Sequence, residues 1–207
     1  MQSLPSQILH AALPHIVFDG WTDAVLTRAA ADIGLSEFEC KRVFPNGVAD
    51  ALAMWSEAAD AQMIAAFEQE TAEKKLKIRE KIALLCMLRF RQHASNREAV
   101  RRAVAWYNLP WNSPHGLRAL YKTVDAMWHA AGDTATDWNF YTKRALLAKV
   151  YGSSLYVWLN DTSEDLTETE AFLKRRIDNV MQIEKAKAKA KESLNKLSDW
   201  VPKSVRR

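Results

Sequence analysis

Apolar side chains recur three or four positions apart along most of the chain, which is the spacing of one face of an α-helix. The clearest stripe predicts a helix over residues 48–70 and consists of Leu52, Trp55, Ala59, Met63 and Phe67. The same spacing predicts other helices over residues 23–33, 37–43, 73–93, 97–107, 115–131, 135–159 and from Thr167 onward. No segment alternates polar and apolar residues over the length of a strand. The pattern therefore predicts an all-α protein of roughly eight to ten helices.

The predicted helices over residues 23–33 and 37–43 have the spacing of a helix-turn-helix. Thr22 is a suitable N-cap for residues 23–33, and Gly34 ends that helix. Ser36 caps the short helix that follows, and this helix leads into the long one as in TetR-type repressors. Residues 15–55, however, carry three basic and six acidic side chains, which opposes contact with phosphates. We therefore expect a vestigial helix-turn-helix and no nucleic-acid partner; a ligand-responsive TetR-type repressor is the alternative function.

Positive charge is concentrated at the C-terminal end of the chain. The net charge of +4 includes eleven basic and four acidic residues within residues 174–207. In the same region, an apolar stripe that includes Phe172, Leu173, Ile177, Val180 and Met181 lies opposite Lys174, Arg175 and Asp178. A basic amphipathic helix of this kind is typical of attachment to a membrane surface. The alternative is that the stripe packs on its own domain or on a second subunit. The run of lysines from Lys185 to Lys191 predicts a solvated helix extension or a frayed tail.

The sequence contains none of the catalytic or metal-binding motifs that we searched for. The chain has no HExxH, CxxC or glycine-rich phosphate loop, and its five histidines are not at metal-ligand spacing. Cys40 and Cys86 stand outside any catalytic motif. We therefore expect no enzyme activity, no cofactor and no metal, and we also expect neither a signal peptide nor a membrane span. The eight tryptophans and six methionines suit either a well-filled core or an adaptable apolar cavity.

Several segments resemble the accessory lipid-binding family of ubiquinone biosynthesis, which in mitochondria is the ninth protein of the coenzyme Q pathway. The resemblance is carried by DWNFYTKRALL at residues 137–147 and AFLKRRIDNVM at residues 171–181. Trp158-Leu159, Phe44-Pro45-Asn46-Gly47 and Trp106 extend it to about residues 15–185. One departure is that Trp138 and Phe140 stand where relatives often place Phe and Trp.

The resemblance implies a TetR-like fold without DNA binding, a homodimer and an apolar pocket for an isoprenoid quinone precursor or phospholipid. It implies a membrane-bound C-terminal helix and a partner, the di-iron hydroxylase of the pathway, to which the lipid is presented. As lipid-binding residues we select apolar positions on the middle helices: Met87, Trp106, Trp111, Met127, Trp128 and Tyr156. The hydroxylase-facing residues are Asp137, Asn139, Phe140, Tyr141 and Arg144. The membrane-binding residues are Phe172, Leu173, Lys174, Arg175, Arg176, Ile177, Val180 and Met181.

These expectations divide the chain into three regions. Residues 1–55 form the vestigial helix-turn-helix region, and residues 56–163 form the lipid-binding body, in one compact unit with the first region. Residues 164–207 form the amphipathic, lysine-rich C-terminal helix and tail. The expected location is peripheral on the inner membrane, on its cytoplasmic side in a bacterium or on its matrix side in a mitochondrion.

Overall fold

The computed structural model describes residues 3–133, 138–180 and 182 of the 207. Over these residues the chain folds into helices and contains no strand, which confirms the all-α prediction. The helices are α1 (Leu4–Asp19), α2 (Asp23–Asp32), α3 (Glu37–Val43), α4 (Val48–Thr71), α5 (Ile78–Gln92), α6 (Arg97–Tyr107), α7 (Ser113–Ala131), α8 (Trp138–Asn160) and α9 (residues 167–180). Short 3₁₀ turns precede α6 and α9.

One helix, α1, and the start of another, α5, depart most from the sequence expectation. Helix α1 was not predicted, because Pro5 and Pro14 interrupt its apolar pattern; Pro5 lies in the first turn, where proline is tolerated. Helix α5 begins five residues later than predicted. The Glu80 carboxylate accepts a hydrogen bond from the backbone N–H of Lys77 at 2.9 Å, and this cap fixes the start of α5.

The helices enclose two hydrophobic cores. The N-terminal core is formed by α1, α2, α3 and the beginning of α4, together with two alanines of α6. The C-terminal core is formed by the rest of α4 and by α5 to α9. Trp55 packs against both cores, and the indole N–H of Trp21 donates to the carbonyl of Ala99 at 3.0 Å. Helix α4 thus continues through the expected boundary at residue 55 and joins the two regions.

Helix α9 folds back onto the C-terminal core. The buried Asp161 carboxylate accepts hydrogen bonds from the backbone N–H and hydroxyl groups of Ser163 and Thr169, so it fixes the turn between α8 and α9. Beyond the turn, Leu173 is 0% exposed, and Ile177 and Val180 pack beside it. Burial of an apolar side chain of this size stabilises a fold by about 1.5–3 kcal/mol. The N-terminal part of α9 is therefore part of the folded body.

No helix in the described ranges combines the length and the apolar character needed to cross a bilayer.

Candidate functional site

A cavity of about 130 Å³ lies where α4, α5, α6, α7 and α8 meet. Its wall is mainly apolar and includes Leu52, Val104, Leu120 and Leu155. Gly116 of α7 also lines it, and here a side chain is excluded: an added Cβ would lie 2.9 Å from the Cβ of Tyr107. The absence of a side chain at this position lets α6 and α7 approach closely beside the cavity.

Aromatic rings form much of the cavity wall. The Phe90 ring stacks on Tyr151 and on Trp158, with ring centroids 5.3 and 5.7 Å apart. The Trp55 and His93 rings meet at 4.6 Å. Flat rings of this kind favour a flat apolar ligand.

Arg89, Ser56 and Thr123 supply polar groups of the wall, and a buried ion pair joins Arg89 to Asp60 behind it. Arg89 of α5 is only 6% exposed, and its Nε donates to Oδ1 of Asp60 on α4 at 2.9 Å. The Thr123 hydroxyl of α7 donates to the same carboxylate at 2.9 Å, and Nη2 of Arg89 approaches the Ser56 hydroxyl at 3.4 Å. The cluster thus ties together three of the helices around the cavity.

Burial sets the ionisation of the other groups in the wall. It lowers the pKa of His93 to about 3, with a smaller contribution from the Arg89 charge, so this imidazole is neutral near pH 7. Burial raises the pKa of both Tyr107 and Tyr151 to about 12. It also raises the pKa of Asp60, although the Arg89 guanidinium and the Thr123 hydroxyl oppose that rise. Arg89 therefore carries the charge in the wall, and the Asp60 carboxylate behind the wall compensates it.

The side chains selected as lipid ligands lie outside this wall. Their positions fall into three groups: Met87 and Met127 are buried in the C-terminal core, Trp106 and Trp128 are half-buried, and Trp111 and Tyr156 are exposed. Met87 and Met127 fill the core, as methionine commonly does. Trp128 lies under the Lys143 ammonium at 5.5 Å from its ring centroid.

The segment selected for the hydroxylase presents one exposed aromatic ring. Tyr141 is 63% exposed, whereas Phe140 is half-buried beneath the Arg144 guanidinium, 3.3 Å from its ring centroid. Arg144 itself is only 2% exposed and pairs with Asp125 at 2.5 Å and with Asp133 at 3.4 Å. These buried pairs assign Arg144 to support of the segment and remove it from the contact surface. Asp137 and the side chain of Asn139 lie outside the described residues.

The residues selected for the membrane lie on two sides of α9. Leu173 belongs to the core, and Ile177 and Val180 pack against that core, so these three side chains follow the alternative in which the stripe packs on its own domain. The basic residues of the set, Lys174, Arg175 and Arg176, are exposed. The Arg176 and Arg175 guanidinium groups lie 4.7 and 5.9 Å from the centroid of the half-buried Phe172 ring. Met181 and the lysine run lie outside the described residues.

Sequence reasoning missed the polar residues of the cavity, although the pattern contains a signal for them. Arg89 follows Leu85 by four positions, and Asp60 precedes Met63 by three, so both charges fall on the apolar faces of their helices. A charged side chain on such a face is rarely buried without a partner. That signal identifies a pair but does not indicate which helices bring its two members together.

Residues for covalent or metal chemistry are not assembled in the described part of the chain. Burial raises the pKa of the Cys86 thiol to about 12 and also raises that of Cys40. Both thiols are buried and protonated near neutral pH, which makes them poor nucleophiles. Across the described ranges no group of three or more His, Cys, Asp or Glu residues is placed to hold a metal ion.

Comparisons with known proteins agree with this architecture. The solved structure of a TetR transcriptional regulator from Nitrosomonas europaea ATCC 19718 superposes with a TM-score of 0.67 at 21% identity. The match covers 84% of this chain and 96% of that chain. At this level of identity, the similarity shows the fold alone.

Sequence comparisons show similarity to proteins of ubiquinone biosynthesis. Residues 113–184 match the family model described as COQ9. The mitochondrial ubiquinone biosynthesis protein COQ9 of Bos taurus is 31% identical over 194 residues, covering 88% of this chain and 59% of that protein. Its Homo sapiens counterpart is 31% identical over 189 residues, with the same coverage. The chain thus spans about three-fifths of the length of these relatives. Residues 113–184 thus carry the similarity to the COQ9 family model, and the chain has a TetR-like helical fold.

Proposed function

We propose that this protein serves ubiquinone biosynthesis as a non-enzymatic, lipid-binding accessory protein. In this proposal it presents a polyprenyl quinone precursor to a membrane-associated di-iron hydroxylase. The observation that carries the proposal is the half-open cavity of about 130 Å³ between α4 and α8, in a chain whose residues 113–184 match the COQ9 family model. Its wall combines aliphatic and aromatic side chains with Arg89, whose charge Asp60 compensates, and this suits a mainly apolar ligand.

Presentation of the lipid solves a physical problem. A polyprenyl chain in water exposes apolar surface at a cost of about 25 cal/mol for each Å². A protein that shields part of the lipid between the bilayer and the enzyme lowers that cost during transfer. The ligand is a polyprenyl quinone precursor, and a phospholipid can occupy the protein in its absence.

The segment around Tyr141 is the proposed docking surface for the hydroxylase. An exposed tyrosine ring offers a large contact area with little side-chain entropy to lose. The Arg144 guanidinium holds the neighbouring Phe140 ring, and the two aromatic rings meet edge to face at 5.2 Å. The docking surface is therefore preorganised by buried ion pairs below it.

The exposed basic side of α9 is the proposed membrane contact. Lys174, Arg175 and Arg176 are exposed on α9, and each basic residue near an anionic leaflet contributes about 1 kcal/mol. Binding of this kind weakens as salt concentration rises. We place the protein on the inner-membrane surface, facing the mitochondrial matrix or the bacterial cytoplasm, as a homodimer.

Organic extraction of the purified, folded protein tests lipid binding. Mass spectrometry of the extract should show an isoprenoid quinone precursor or a phospholipid in stoichiometric amount. Repeated extracts without either lipid would contradict the proposal.

A pull-down against the cognate di-iron hydroxylase tests the docking surface. Tyr141→Ala should weaken capture while the helical circular dichroism stays unchanged. Phe18→Ala is the matched control, because Phe18 is also an exposed aromatic residue but lies on α1, in the N-terminal part of the chain. Equal capture of both variants and the unmodified protein would remove Tyr141 from the interface.

The TetR-like fold supports a second candidate function, a ligand-responsive transcriptional repressor. The charges of the helix-turn-helix region disfavour it: Lys41 pairs with Glu37 at 2.6 Å, and Arg28 pairs with Asp19 at 3.1 Å. Exposed Phe38 occupies the outer side of α3, where a repressor needs polar contacts to DNA. A gel-shift assay with genomic fragments at low salt should show no retarded complex. A sequence-specific complex would favour the repressor.

A further inference from the structure

Trp158 has a buried hydrogen-bond donor that none of the described residues accepts from. The residue is 0% exposed and lines the cavity, and its Nε1 has no hydrogen-bond partner among the described residues. A buried N–H group without a partner is rare in folded proteins because its desolvation is costly. An acceptor atom on a molecule inside the cavity would satisfy it.

Two other groups in the wall have unused hydrogen-bonding capacity. Arg89 directs Nε to Asp60 and Nη2 to Ser56, and none of the hydrogen bonds of the described residues uses its Nη1. His93 is buried and neutral, and neither of its ring nitrogens forms a hydrogen bond with any of the described residues. The cavity therefore brings together donors from α5 and α8.

The size of the cavity selects one ring and excludes a polyprenyl chain. A cavity of about 150 Å³ in another protein is sufficient for benzene, and the cavity described here measures about 130 Å³. The stacked rings of Phe90, Tyr151 and Trp158 offer a flat wall to such a ring. A polyprenyl tail would have to lie elsewhere on the protein.

The charge of the wall selects a neutral ring. Arg89 is already compensated by Asp60 at 2.9 Å, and the other ionisable groups of the wall, His93, Tyr107 and Tyr151, are neutral near pH 7. A carboxylate or phosphate would therefore add an uncompensated charge to a buried site, which is unfavourable.

We propose that this cavity is the head-group site of the lipid: it binds one neutral six-membered ring whose oxygen substituents accept hydrogen bonds from Trp158 and Arg89. This inference rests on the proposed function and specifies which part of the ligand enters the cavity. Trp158 and Arg89 are then the residues that distinguish an oxygenated ring from a plain hydrocarbon.

The test uses 2-methoxyphenol, a neutral oxygenated ring without a tail, and the full chain labelled with ¹⁵N-tryptophan. Among the indole N–H resonances of the eight tryptophans, that of Trp158 should shift on titration. Trp158→Phe should weaken binding roughly two- to tenfold, the range expected from one neutral hydrogen bond. Trp128→Phe is the matched control, because its Nε1 is also buried and unpartnered among the described residues but its side chain does not line the cavity.

Toluene and benzoate complete the test. We expect both to bind more weakly than 2-methoxyphenol, toluene because it lacks acceptors and benzoate because it is charged. Equal weakening by the two tryptophan variants would overturn the inference, as would an unshifted Trp158 resonance or tighter binding of toluene or benzoate. The resonance shift in the unmodified protein remains decisive if Trp158→Phe does not fold. A failure here leaves the lipid extraction and the hydroxylase pull-down unaffected, so the two proposals fail separately.

Discussion

Removal of the Arg89 charge should destabilise the protein strongly at neutral pH. Arg89→Met keeps a side chain of similar length but removes its charge. Asp60, which is only 7% exposed, then loses its only cationic partner among the described residues. Breaking a buried ion pair in this way costs about 3–5 kcal/mol. For a chain of about 200 residues, this corresponds to a melting temperature lower by about 6–20 °C.

The loss should shrink as the pH falls. Burial already raises the pKa of Asp60, and the Arg89 charge is the main influence that opposes the rise. Without Arg89, the folded state binds a proton at Asp60 more tightly than the unfolded state does. The free energy of unfolding of the variant therefore falls as pH rises from the unfolded pKa of about 4 towards the raised folded pKa. Acidification within that window should restore part of the lost stability.

Urea unfolding followed by circular dichroism at pH 7 and pH 5 measures both effects. Arg28→Met is the matched control, since Arg28 and Asp19 form an exposed pair whose loss should cost less than about 1 kcal/mol. The double variant Asp60→Leu with Arg89→Met removes both buried charges and should recover much of the stability. A cost for Arg89→Met no larger than that for Arg28→Met would refute the reasoning, as would a deficit that is the same at both pH values.

Three further predictions concern the packing of the body. Leu173→Ala should cost about 2–5 kcal/mol in urea unfolding, whereas exposed Lys174→Ala should change little; equal costs would contradict the placement of α9. Burial would raise the pKa of Asp161, but hydrogen bonds from Ser163 and Thr169 outweigh this effect and lower the pKa to about 2. Asp161→Asn should therefore have a lower free energy of unfolding than the unmodified protein at pH 7, and this difference should disappear as the pH falls from about 4 to about 2. A difference that does not depend on pH would contradict this prediction. Replacement of glycine by alanine in a helix usually stabilises a protein by up to about 1 kcal/mol. Gly116→Ala should instead lower the melting temperature, because the new Cβ would lie 2.9 Å from the Cβ of Tyr107. A higher melting temperature would contradict the close packing.

The sequence pattern was sufficient for most of the fold because it depends on local periodicity. The stripe from Leu52 to Phe67 predicted α4 almost to its observed ends at Val48 and Thr71. The sequence pattern does not predict α1 because Pro14 is unfavourable inside a helix. In the structure, the burial of neighbours such as Ile16 in the N-terminal core outweighs that penalty.

The candidate site was less predictable because it depends on which helices meet. A tryptophan or methionine pattern cannot distinguish a cavity wall from a filled core, and Met127 proved to be core whereas Trp158 lines the cavity. The apolar stripe of α9 posed the same ambiguity between membrane and core. In the structure Leu173 lies in the core, because the turn that Asp161 fixes between α8 and α9 directs α9 back onto the folded body.

Hydroxylation of a precursor embedded in vesicles tests the central claim most directly. The cognate di-iron hydroxylase would be assayed with and without this protein, on a long-chain polyprenyl precursor and on its tail-free, water-soluble analogue. If the protein presents an insoluble lipid, it should accelerate turnover of the long-chain precursor and leave turnover of the soluble analogue nearly unchanged. Equal acceleration of both substrates, or no acceleration of either, would contradict presentation of the lipid as the function of this protein.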